Sequence, residues 1–186
     1  MEPLQVAVRP DLLANRVVLL AGPATQLSEA YGATVERWED PASWDDTRAE
    51  AEATGIATRH GRLDAGVVDL GSVFGRGADE GMASALDTGW RVARAAATSA
   101  MIGNGGGTIV LLAPPADLGA GARAAANGLA NMAKSLGTEW ARFDIRVVAI
   151  CPKDSVAPGL GDLTAWLCSG SGTYATGCCF EPGAIA

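Results

Sequence analysis

Short apolar runs alternate with longer amphipathic stretches along most of this chain. Residues 16–22, RVVLLAG, form a continuous apolar run ending in glycine, the pattern of a strand covered on both faces of a parallel sheet. Residues 33–37 (ATVER), 64–71 (DAGVVDLG), 107–115 (GTIVLLAPP) and 144–152 (DIRVVAICP) read as further strands, and a last short one falls within 174–183 (YATGCCFEPG). Helical stretches lie between them. Residues 26–32 (QLSEAYG) predict a short helix closed by Gly32, and 40–55 one that opens on capping Asp and Ser residues. Two long helices are predicted over 79–104 and 120–142, and a short one over 162–170. Strands alternating with helices predict an α/β protein: a Rossmann-like, doubly wound parallel sheet of about six strands with helices on both faces. No repeat or low-complexity linker divides the chain, so residues 1–186 read as one domain.

Composition narrows the possibilities. Hydrophobic residues make up 48% of the chain and aromatic ones only 5%, so the core is expected to be Ala, Val, Leu and Ile. A net charge of −7 speaks against a nucleic-acid partner, whose phosphates need a basic face. No apolar run approaches the ~20 residues that span a bilayer. The first sixteen residues lack the basic start and apolar block of a signal peptide, so a cytoplasmic protein is expected. Cys151, Cys168, Cys178 and Cys179 have no C-x-x-C spacing, and the single histidine, His60, is far from them in sequence, so no metal site is predicted. The thiols are expected to be small buried hydrophobes, with Cys178 and Cys179 pointing to opposite faces of a strand.

Several segments carry a resemblance. GRLDAGVVDLG is similar to the strand that ends in Asn-Asn-Ala-Gly in the short-chain dehydrogenases/reductases (SDRs), and GGGTIVLLAPP to the strand leading to their catalytic serine. AKSLGTEWARFDIRVVAICP matches the family's helix–strand unit almost word for word. LTAWLCSGSGTYATGCCFEPG resembles its closing segment, and LANRVVLLAGPA with LSEAYGATV gives a weaker match near the start. From residue 61 to residue 183 these segments keep the family's order.

The departures from that pattern concern chemistry. SDR enzymes use a tyrosine acid/base, a lysine that lowers its pKa, a serine that polarises the carbonyl and a helical asparagine in the proton relay. By alignment these positions hold Ala122, Ala126, Pro114 and Leu86, none of which can exchange a proton through its side chain. The Gly-rich turn that lets a dinucleotide pyrophosphate reach a helix N-terminus is reduced to AGPATQLSEAYG, where Gly22 survives and the later glycines do not. Glu36 stands as a remnant of the acidic residue for the adenine ribose, and Asp69 as a remnant near the end of the third strand. The next αβ unit and the substrate lid are both shortened, which implies an incomplete adenine pocket and a shallow, open crevice. No NAD(P) is therefore expected in this chain.

The resemblance thus implies a degenerate SDR scaffold without its reaction. The leading expectation is a catalytically inactive subunit that pairs with an active SDR paralogue, itself the holder of NAD(P), through the helices at 79–104 and 120–142. Family subunits meet through these helices, and through the segment corresponding to 162–183. Ala and Gly cover more of the second long helix than one core stripe requires, and Ala130 is expected on its exposed side. A homo-oligomer is the other form of the same expectation, and a homo-oligomeric binding protein for a small apolar ligand is a further one. An enzyme is the alternative. It would be either an NAD(P)-dependent oxidoreductase with displaced residues or a cofactor-independent lyase or isomerase using Asp69 and Lys153. Arg123 falls where the halohydrin dehalogenases, cofactor-free relatives, use an arginine, but the partner serine and tyrosine are absent.

Overall fold

The computed structural model describes residues 9–23, 31–75, 78–155, 157 and 159–183. Its sheet has six strands, all parallel: β1 (Val17–Ala21), β2 (Thr34–Trp38), β3 (Ala65–Asp69), β4 (Gly107–Leu112), β5 (Ile145–Ile150) and β6 (Cys179–Phe180). Their order across the sheet is β2-β1-β3-β4-β5-β6. The chain leaves β1 for β2 on one side and returns to β3 on the other. The direction of winding therefore reverses between β1 and β3, and that reversal opens a crevice at the carboxyl ends of the strands.

The side-chain alternation of the strands sorts the core into two layers. Leu19, Val68, Ile109, Leu111, Val147 and Ala149 face α1 (Asp46–His60), α3 (Ala78–Ala96) and α4 (Ala120–Glu139). Their neighbours Val18, Leu20, Val67, Val110, Val148 and Ile150 face α5 (Leu160–Cys168) together with Leu13. Both faces of every central strand are buried, which is why these strands read as unbroken apolar runs. Tyr31 helps to fix the second layer: its hydroxyl donates to Asp162 Oδ1 at 2.5 Å. Burial first, and then the Asp162 carboxylate, push the Tyr31 phenol up to about 12.

Element types match the sequence pattern, and several bounds differ. The helix read at 40–55 splits into a 3-10 turn, Pro41–Ser43, and α1, whose start is fixed by the Asp45 side chain accepting from the Arg48 N–H. It continues to His60, placing Arg59 and His60 in the last turn, where the helix dipole favours basic groups. The helix read at 79–104 continues past α3 through a wide turn, Ala97–Met101, and a 3-10 turn to Asn104. The helix read at 120–142 ends as an α-helix at Glu139. The short helix expected over 26–32 lies outside the described residues except for Tyr31 and Gly32.

Two expectations about exposure need correction. Ala130 is half-buried and packs against the α1–α3–α4 core layer, so it is not on the outer side of α4. The outer side carries Ala124, Asn127, Asn131, Lys134 and Ser135. Cys178 is exposed instead of buried, because β6 is an edge strand of only two residues and Cys178 precedes it.

Much of the small-residue content of α4 serves packing within the chain. A Cβ on Gly128 would sit 2.8 Å from Leu86 Cδ2 on α3. Glycine there lets the two long helices approach each other, and Leu86 fills the gap as a half-buried packing residue. Among the described residues no helix is long and apolar enough to cross a membrane, and no group of three or more His, Cys, Asp or Glu side chains is placed to hold a metal ion.

Candidate functional site

Of the positions aligned with the SDR reacting groups, Pro114 follows β4, Ala122 and Ala126 lie in the first turns of α4, and Leu86 lies within α3. They are filled with hydrocarbon. After β3 the chain enters a single helical turn, α2 (Gly71–Phe74), which carries Phe74 inward. Phe74, Ala122 and Ala125 form a buried cluster with Met82 against them, and Ala122 has no exposed surface. Ala126, one turn along, is 8% exposed, and its carbonyl accepts a weak bond from Cys151 Sγ at 3.6 Å. Pro114 is buried just beyond Ala113, whose N–H donates to Ile150 O at 2.8 Å. Leu86, as above, is committed to the α3–α4 contact. Phe74 is the residue that sequence reasoning missed. Its signal was an aromatic in a Gly-bounded tetrapeptide, GSVF, directly after a buried strand.

The crevice above β4 and β5 is strapped, not open as expected. Ala116 N–H donates to Pro152 O at 2.9 Å and Asp117 N–H to Lys153 O at 3.1 Å. Ser155 returns two bonds, from its N–H and its hydroxyl, to the Asp117 carboxylate at 2.8 Å each. Those bonds hold the Asp117 carboxyl below its usual range. Arg123 lies at the same rim, exposed, and donates to Ala116 O at 3.2 Å.

Asp69 and Lys153 do not form one centre. Asp69 ends β3, and its Oδ1 accepts from the Gly71 N–H at 3.1 Å. Burial raises the Asp69 pKa, with the Ser72 and Gly71 N–H groups opposing it. Lys153 Nζ lies 3.7 Å from Glu181 Oε2, and both side chains are well exposed, so this is a solvated surface pair.

A second region lies at the switch point between β1 and β3. Gly22, Glu39, Asp40, Ser43, Ser72 and Ser84 are among the residues lining a cleft of about 340 Å³ there. Gly22 has φ +94°, and a Cβ on it would lie 3.0 Å from the Asp69 carbonyl oxygen. Its N–H donates to Trp38 O at 2.7 Å. Glycine is thus required by the packing of β1 against its neighbours, whatever occupies the cleft. Glu36 is not at the cleft. It lies within β2 and accepts from Arg59 Nη2 at 2.9 Å, with His60 Nε2 at 2.7 Å. The bond from Arg59 leads in lowering the Glu36 pKa. Because Ala21 pairs with Trp38, the acidic residues at the end of the strand are Glu39 and Asp40, and these line the cleft.

The described lining offers a dinucleotide pyrophosphate no side-chain cation. It presents two carboxylates and no lysine or arginine, and the Gly22 N–H is already spent on β2. Glu39 and Asp40 stand at the end of β2, where the SDR pattern places the acidic residue for an adenine ribose, while a pyrophosphate is held by backbone N–H groups of the turn after β1. Most of the turn after Pro23 lies outside the described residues.

With this geometry in place, similarity to known proteins can be stated. No family model matches the sequence, and no curated protein matches it. Solved structures do match. A hydroxysteroid dehydrogenase from Escherichia coli superposes with a TM-score of 0.76 at 13% identity, over 94% of this chain and 98% of that one. A short-chain type dehydrogenase/reductase from Mycobacterium marinum gives 0.72 at 18%, over 94% and 96%. A 7α-hydroxysteroid dehydrogenase complexed with NADH and 7-oxo glycochenodeoxycholic acid gives 0.71 at 14%, over 92% and 94%. The chain has the fold of the short-chain dehydrogenases/reductases. At these identities the likeness concerns the fold alone.

Proposed function

We propose that this chain is a non-reducing subunit on an SDR scaffold, associating through α3 and α4 with an active chain of the same fold that carries the nicotinamide cofactor. The observation that carries the reading is the Phe74–Ala122–Ala125 cluster. A space that must hold a proton donor for carbonyl reduction is packed with apolar side chains.

Association draws support from the outer surface of the two long helices. Trp90 on α3 is 43% exposed and stacks on Trp140 beyond α4, with ring centroids 6.4 Å apart. Exposed tryptophan is enriched in contact surfaces. On α4 itself Ala124, Asn127 and Asn131 are exposed, small side chains on which another helix can settle. An active partner, not a second copy, is favoured because two copies would bring together two filled centres.

The test has two arms. Calorimetry of the isolated chain at millimolar NAD(H) or NADP(H) should show no binding, and a micromolar dissociation constant would refute the non-reducing half. Light scattering of the chain co-expressed with full-length SDR-fold proteins of its host should give a mixed oligomer that Ala124→Trp disrupts. A wild type that remains monomeric with all of them defeats the subunit half.

A further inference from the structure

Two thiols that sequence spacing kept apart meet at the end of β5. Cys151 follows β5 directly and Cys179 opens β6, and their sulfurs lie 3.1 Å apart. The strands are in parallel register, Ala149 opposite Cys179 and Ile150 opposite Phe180. Cys151 N–H also donates to Phe180 O at 2.7 Å. Cys151, two residues beyond Ala149, is thus the diagonal neighbour of Cys179 on the same face of the sheet, and the sulfurs meet because both side chains turn toward each other. A disulfide needs ~2.05 Å, and the approach of about 1 Å falls on an edge strand of two residues.

We propose that Cys151 and Cys179 are a dithiol site oxidised by low-molecular-weight disulfides to an internal cross-link between β5 and β6. Cys179, half-buried, reacts first. Its sulfur, losing the thiol proton, attacks one sulfur of the small disulfide R–S–S–R. That S–S bond breaks, and the first small thiol leaves carrying the proton. Cys151 sulfur then attacks the Cys179 sulfur of the mixed disulfide and expels the second small thiol, which takes the Cys151 proton. The protein loses two hydrogens, and one small disulfide is reduced to two thiols. Cys151 is the second and not the first attacker because it is 8% exposed, and burial holds its thiol well above the usual range. The bond closes a loop over residues 152–178, stapling α5 and the strap at Pro152 and Lys153 to the sheet, and so stabilises what the short β6 holds weakly.

The remaining thiols are internal controls: Cys178 is exposed, and Cys168 is fully buried in the other core layer. Wild-type protein is incubated with bis(2-hydroxyethyl) disulfide, unfolded, alkylated and digested. Trypsin cuts after Arg146 and Lys153, and chymotrypsin after Trp166 and Tyr174, so Cys151, Cys168 and the 178–179 pair fall in separate peptides. The expected product joins the Cys151 peptide to the Cys178–Cys179 peptide, two hydrogens lighter than their sum. It is removed by dithiothreitol, retained in Cys178→Ala and lost in Cys179→Ala. The folded protein should also gain several degrees in Tm on oxidation. Cys151 that stays fully alkylatable after oxidation, or a cross-link lost in Cys178→Ala, overturns the proposal. Both readings come from proteins that retain Cys179, so they hold even where Cys179→Ala folds poorly.

Discussion

The two carboxyl-end regions of this sheet depart from the SDR pattern in different ways. Above β3 and β4 the centre is occupied: Phe74 lies on Ala122 and Ala125, and the strap from Pro152 to Ser155 closes the rim. At the switch point a cleft remains, and its described lining carries Glu39 and Asp40 at the end of β2 and no lysine or arginine. A filled site and a cleft differ in what would alter them. A cleft needs only new surface side chains, which folding tolerates. A filled centre resists restoration, because close-packed interiors resist added volume.

That difference has a direct test, with the largest effect expected. Ala122→Tyr places a phenol where the Phe74 ring already packs, and should cost about 1–3 kcal/mol by overpacking. Phe74→Ala alone should cost on the order of 3 kcal/mol through the cavity it leaves. Together they should cost clearly less than their sum, since each supplies what the other disturbs. Urea denaturation of the three variants measures the coupling. Strict additivity would mean that the Phe74 ring does not occupy the space into which the phenol of the Ala122→Tyr variant grows.

What the sequence made legible follows from physics of short range. Strands buried on both faces show as apolar runs, so β1, β3, β4 and β5 were readable from VVLLA, AGVVD, GTIVLL and IRVVAI. The alanines at 122 and 126 were equally plain, and both are buried in the fold. Other features depend on three-dimensional register. Glu36 looked like a ribose ligand by its place in a strand, yet α1 runs long enough to bring Arg59 and His60 onto it. Phe74 and the Cys151–Cys179 contact arise from one helical turn and one edge pairing, neither of which carries a periodic signal. Ala130 was misplaced because a helix rich in alanine gives no sharp apolar stripe from which to read its buried side.

The open end of the comparison can be sharpened at Glu36, which braces β2 beside the cleft. Its folded-state pKa is depressed, chiefly by Arg59, so the stability it contributes is present above the unfolded glutamate pKa of about 4.3 and is lost as pH falls through the lower folded value. Glu36→Gln should therefore lose up to about 1 kcal/mol at pH 7. The difference from wild type should close in acid. Thermal melts at several pH values measure it. A gap that widens in acid would mean that some other group holds β2 to α1.

The smallest effect is expected at Asp69, at the end of β3 between Gly22 and Gly71. Burial raises its pKa, and the Ser72 and Gly71 N–H groups only partly oppose that rise. An acid whose folded pKa is raised contributes stability at low pH and loses it as pH rises through the folded value. Ionised Asp69 is thus a cost at neutral pH. Asp69→Asn keeps an oxygen for the Gly71 N–H bond, 3.1 Å long in the wild type, and removes the charge. The variant should melt higher than wild type at pH 7, by no more than the few degrees that ~1 kcal/mol gives a chain of this size, and the gain should shrink as the pH is lowered. The sign separates two roles. A spectator carboxylate gives the increase. A carboxylate kept ionised for cofactor-free chemistry would need a cation or donors to hold it so, and its replacement would then lower the Tm at pH 7. That loss would reopen the enzyme alternative at Asp69, where β3 ends beside Gly22 and Gly71.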